Sequence, residues 1–174
     1  MESTNPVEES LLREGAASYW LARAAIKEYQ ALVCRRCREV VVAEQDQILA
    51  AIGSPLNALK DFDHFDAGTH YAAVGISGTG SNGCSHYFAL WWDRDKLYAS
   101  VWTTFKDDEK RRRAWLSLQE VHGQESADTN TTEIWLRLEV PKSDAGDPWS
   151  ILGNCIREWS QMWSRVPGGL KQYL

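Results

Sequence analysis

The stretch Asp61-Phe62-Asp63-His64-Phe65-Asp66, with His70 beyond it, packs three carboxylates and two imidazoles into ten residues. These are the ligand types that a hard or borderline divalent ion prefers. Their spacing matches neither a calcium-binding loop nor the helical HExxH arrangement, so residues 54–69 read as a solvated acidic loop pinned by Phe62 and Phe65. Cys34-Arg35-Arg36-Cys37 has the CxxC spacing of zinc and redox sites, but no second pair follows. Cys84 and Cys155 stand far apart in the sequence, and all the cysteines read as small, reduced side chains. Gly78, Gly80 and Gly83 spell GxGxxG, the fingerprint in which glycines let a helix N-terminus approach a pyrophosphate. The residues after Gly83 (His86, Tyr87, Phe88, Leu90, Trp91) are strand-like, so no helix dipole waits there for a phosphate. There is no Gly-x-Ser-x-Gly elbow, and His64, His70, His86 and His122 have no partner legible from the chain. No metal and no cofactor is therefore expected.

Two basic clusters stand out, Lys106 to Arg113, where five positive charges are interleaved with three acids, and the trio Arg35, Arg36 and Arg38. Both read as solvated helix faces. The formal net charge of −5 argues against general affinity for nucleic acid or for an anionic membrane surface. Nine tryptophans in 174 residues favour a thick aromatic core, a recognition surface, or both.

These residues are positioned by a long helical segment, three strands in quick succession, a helix, a fourth strand and a last helix. Residues 7–52 contain no proline and are rich in helix formers, until Gly53-Ser54-Pro55 stops them. Leu12, Tyr19, Ile26, Val33 and Val40 recur every seven residues, with Ala22, Tyr29 and Ala43 three positions after members of that row. Arg36 and Gln47 make this heptad seam imperfect. An unbroken helix would be roughly 65 to 70 Å long, against the roughly 35 Å width of a compact domain this size. The segment therefore either bends, first at the β-branched Val40-Val41-Val42, or projects and dimerises.

A hairpin follows, His70 to Ser77 and Ser85 to Trp92, joined through an Asn82-Gly83 turn. The third strand, Leu97 to Phe105, sets Leu97, Ala99 and Val101 against Tyr98, Ser100 and Trp102. Asp107 caps a helix that Gly123 ends, and the fourth strand, Thr132 to Val140, alternates Ile134, Leu136, Leu138 with Trp135, Arg137, Glu139. Asp147-Pro148 opens the C-terminal helix with its stripe Leu152, Ile156, Trp159 and Trp163. The expected fold is α+β, in the order αβββαβα, with a mainly antiparallel four-stranded sheet. It forms a single domain over residues 1–174, with a disordered N-terminus at 1–6, the helical segment at 7–52, the sheet and its inserted helix at 70–140, and the last helix at 147–166. No apolar run reaches the length of a membrane span and the first residues lack a secretory signal pattern, so the expected location is cytoplasmic.

The order helix, three-stranded meander, helix, strand resembles the αβββαβ core of the PD-(D/E)XK nuclease superfamily, over most of the chain up to Val140. In that family a metal-binding Asp sits at the second core strand and a (D/E)-x-Lys on the third. Asp93 follows the second strand here and Lys106 ends the third, so the resemblance implies a metal-dependent nuclease site at these two residues. Thr104 stands two positions before Lys106 where the family has an acid, leaving Asp107, Asp108 or Glu28 to supply the missing carboxylate.

Without a catalytic constellation, the expected function is noncatalytic: docking of a macromolecular partner, in the manner of an inhibitor, immunity protein or accessory factor. A metal-dependent nuclease or a degenerate relative is the alternative. Exposed tryptophans anchor interfaces, which makes Trp92, Trp102 and Trp135 the candidate contact residues. A protein partner and a homodimer through the long helix are the expected associations; the net charge disfavours nucleic acid, and no membrane association is expected.

Overall fold

The computed structural model describes residues 6–66, 71–81, 83–123, 127–142 and 147–174. His70, Asn82, the side chain of Phe65 and most of the expected disordered N-terminus lie outside the described residues. The chain forms two compact units, Met1–Leu32 and Val33–Leu174. Helix α1 (Pro6–Ala43) contributes to both, and α2 (Gln45–Ile52) belongs to the second. The helical segment is thus interrupted at Glu44, just after Val40-Val41-Val42, whose branched side chains are stiff at χ1. Gly53, at φ 74°, closes α2 in the left-handed region and returns its N–H to the Leu49 carbonyl at 2.8 Å.

In the first unit, α1 exposes Tyr19, Trp20, Leu21, Ile26 and Tyr29. Trp20 meets Tyr19 edge-on at 5.8 Å and carries the Arg23 guanidinium over its ring at 5.6 Å.

The second unit is built on a six-stranded antiparallel sheet: β1 (Asn57–Asp66), β2 (Tyr71–Thr79), β3 (Ser85–Asp93), β4 (Lys96–Thr104), β5 (Asp128–Thr129) and β6 (Glu133–Val140). The strand order is β1-β2-β3-β4-β6-β5. Helix α3 (Asp108–His122) separates β4 from β5, and α4 (Pro148–Arg165) follows β6. Two strands go beyond the expected four. The segment read as an acidic loop is largely β1: its charges lower strand propensity, yet they suit a sheet edge, where they discourage pairing with another chain. A register shift between Asn57 and Lys60, with Ala58 at φ 50°, makes the start of β1 irregular. Strand β5 has only two residues and no period to detect.

Register and alternation place Val74, Ile76, Phe88, Leu90, Ala99, Val101 and Ile134 on one sheet face. There they bury together with Leu152, Ile156, Trp159 and Trp163 of α4 and with Val33, Cys37 and Val41 of α1. The Cys155 thiol donates to the Ala99 carbonyl at 3.5 Å, and the Cys34 thiol to that of Gly75 at 3.2 Å, tying both helices to the sheet backbone. Both caps form as read. Asp107 accepts from the N–H groups of Glu109 (2.8 Å) and Lys110 (3.2 Å), and Asp147 from that of Trp149 (3.0 Å). Among the described residues no helix is long and apolar enough to cross a membrane.

Candidate binding site on the second sheet face

The other face is organised by a row of small residues. Gly75, Ala89 and Ser100 stand side by side on β2, β3 and β4, and the row ends at Phe62 on β1 and Arg137 on β6. A Cβ on Gly75 would lie 2.2 Å from the Phe88 carbonyl oxygen, so only glycine fits there. Parallel rows flank it: Tyr87, Trp102 and Trp135 on one side, Ala73, Trp91 and Tyr98 on the other. Ala89 and Ser100 are fully buried although the helices named above pack on the opposite face. Small side chains in the middle row leave room for the flanking rings to lie over them.

The rings form a connected cluster. Tyr87 stacks on Trp102 with centroids 4.8 Å apart and planes 5° apart, and Phe62 meets both edge-on at 5.3 and 5.6 Å. On the other flank the Arg137 guanidinium lies 5.5 Å from the Trp91 centroid and 5.2 Å from that of Tyr98, with Asp128 Oδ2 3.4 Å from its Nε. Beside the rings opens a cavity of about 500 Å³ walled by Phe62, Tyr87, Trp91, Trp102 and Trp135. Asp63 and His64 of β1 line it, as do Glu133 of β6 and Asn130 just before it. Glu133 accepts hydrogen bonds from Thr104 Oγ1 at 3.4 Å and Asn130 Nδ2 at 3.1 Å. The buried Nε1 of Trp135 has no acceptor among the described residues. The volume is that of a ligand or side-chain pocket, and its walls offer aromatic faces for stacking and for cation attraction.

The predicted contact residues divide between the faces. Trp102 and Trp135 are direct cross-strand partners and both line the cavity. Trp92 has the opposite parity on β3, pairs with Ala72 and Leu97, and packs against the helix-covered core. Its neighbour Trp91 lines the cavity instead, joined by Phe62, which the sequence presents as a loop anchor, and by Tyr87. The signal was present: Tyr87, Ala89 and Trp91 share a phase, and so do Tyr98, Ser100 and Trp102.

Asp93 and Lys106 are not brought together. Asp93 pairs with Lys96 at one end of the β3–β4 hairpin, while Lys106 follows the other end, where Ser85 pairs with Thr104. Eight residue steps of strand separate those ends, roughly 26 Å at about 3.3 Å per step. Lys106 Nζ instead approaches Gly83, 2.5 Å from where a Cβ would stand.

The remaining motifs resolve into structure. Cys34 and Cys37 are free and buried; burial, reinforced by Asp61, raises the Cys34 thiol, and burial beside Cys34 pushes Cys37 up to about 12. Burial and then the nearby Glu158 raise Cys155 as well, so these thiols stay protonated. Asp61 pairs with Arg38 at 2.6 Å, Arg36 with Glu39 at 2.7 Å and Arg111 with Asp108 at 2.7 Å. Gly80 donates to the Cys84 carbonyl at 3.0 Å in a hairpin loop that leads into β3, not a helix. His86 is buried with Nδ1 2.9 Å from Thr103 Oγ1, and His122 Nε2 donates to the Met162 carbonyl at 2.8 Å. Among the described residues no three His, Cys, Asp or Glu side chains gather into a metal site.

Fold and site together define an antiparallel α+β protein whose helices cover one sheet face and whose other face bears an aromatic cavity. Comparison with protein-family models, with curated proteins and with solved structures found no match.

Proposed function

We propose that this is a noncatalytic binding protein that docks a protein partner, in the manner of an inhibitor, immunity or accessory protein, through the face carrying Trp102 and Trp135. The supporting observation is the cluster of partly exposed rings around the cavity, set on a rigid sheet and joined by stacking and edge-on contacts. Large aromatic side chains held ready in this way lose little conformational freedom on binding and are the usual energetic anchors of interfaces. Four buried thiols without a disulfide favour a reducing, cytoplasmic setting. The exposed apolar residues of α1 between Tyr19 and Tyr29 favour self-association as a second contact.

Tagged protein is expected to retain one stoichiometric protein partner. Alanine at Trp102 or Trp135 is expected to weaken that complex about 30-fold or more, the scale of an interface hot spot, without unfolding the chain. A partner held equally well by a folded Trp135→Ala variant, or no stoichiometric partner at all, removes the docking reading.

A further inference from the structure

We propose that the cavity receives the guanidinium of an arginine presented by the protein partner. This rests on the docking function above and specifies what that face recognises. The first argument is charge. The carboxylate-bearing Glu133 stands on the cavity face in phase with Trp135, no Lys or Arg lines the cavity among the described residues, and its walls are aromatic faces whose quadrupoles attract cations. The net charge of −5 adds long-range attraction for a basic partner.

The second argument is that the same face already holds one such group. Arg137 lies over Trp91 and Tyr98 with Asp128 beside it, a unit of rings and carboxylate around a guanidinium. Trp135 and Glu133 repeat the ring and the carboxylate at the cavity, where the Glu133 oxygens accept only the neutral donors Thr104 and Asn130 among the described residues. A guanidinium fits this setting better than an ammonium, because it is planar, stacks on rings and is more weakly hydrated. About 500 Å³ admits the head group together with its aliphatic stem.

The full-length protein is titrated with the tripeptide acetyl-Gly-Arg-Gly-amide while the tryptophan indole N–H resonances are followed by NMR. Citrulline and lysine tripeptides serve as the uncharged isostere and the alternative cation. Saturable shifts of the Trp102 and Trp135 signals are expected with the arginine peptide, at least about tenfold weaker with citrulline and several-fold weaker with lysine. Glu133→Gln keeps one oxygen to accept from Asn130 and turns its NH2 toward the Thr104 hydroxyl, which can accept in place of donating; it is expected to fold normally, yet to weaken arginine binding about fivefold or more. Equal binding of the citrulline or lysine peptide, or no saturable shift with arginine, overturns the proposal. The docking reading fails separately: a partner lost from Trp135→Ala but held at full affinity by Glu133→Gln leaves the docking face standing and overturns the guanidinium.

Discussion

His86 is a neutral polar group placed where a charge would be costly. It is 1% exposed, shares one hydrogen bond with Thr103, and its Nε2 has no partner among the described residues. Burial pushes its pKa down to about 4. The unfolded chain takes up this proton near the ordinary value of about 6.5, while the native state resists until about 4. Stability from this residue is therefore complete above pH 6.5, declines as the pH falls to 4, and changes no further below that. The loss across the window is on the order of 3 kcal/mol. Urea unfolding of the native sequence is expected to show this decline between pH 7 and pH 4.5, with a much smaller one in His86→Gln, which carries no charge at either pH. An equal decline in both proteins would assign the acid sensitivity to other groups.

Among the elements, the strands show best what a single sequence discloses. Alternation in β3, β4 and β6 was legible because Phe88, Leu90, Val101 and Ile134 interleave with bulky or polar residues at period two. The helix caps were legible because Asp107 and Asp147 act on N–H groups two or three residues away. Strand β1 was not, since Asp61, Asp63 and Asp66 imitate a loop and their edge position is settled only by pairing with β2. The adjacent Trp91 and Trp92 are separated by the alternation of β3: Trp92 is in phase with the core residues Phe88 and Leu90, Trp91 with Tyr87. The middle row was hidden as β1 was, because Gly75, Ala89 and Ser100 acquire meaning only side by side. Ala89→Leu tests that row. It would crowd the rings from below, and we expect a loss of about 1 to 3 kcal/mol, the usual cost of overpacking, with altered near-ultraviolet circular dichroism. Unchanged stability and spectrum would mean that the rings do not rest on Ala89.

At the scale of the whole molecule, the two units differ in how their apolar surface is satisfied. Val33–Leu174 buries its own core, in which Val33, Cys37 and Val41 of α1 meet Ile76, Phe88 and Leu90 of the sheet. The described residues of Met1–Leu32 are helical, and Tyr19, Ile26 and Tyr29 of the heptad pattern remain exposed there together with Trp20 and Leu21. An isolated helix is marginally stable in water, and most helical stability in proteins comes from covering an apolar stripe. A second copy of the same helix offers a matching seam, because a heptad row is complementary to itself. Sedimentation equilibrium at micromolar concentration is therefore expected to find two chains per particle. Glutamate at both Tyr19 and Ile26, which places like charges across that seam, is expected to give a monomer. Residues 33–174 alone are expected to be monomeric too, and to melt within a few degrees of the full chain because their core is internal. A monomeric native protein would exclude self-pairing. A dimer that survives both the glutamates and the truncation would place the contact on Val33–Leu174 instead of the helical seam.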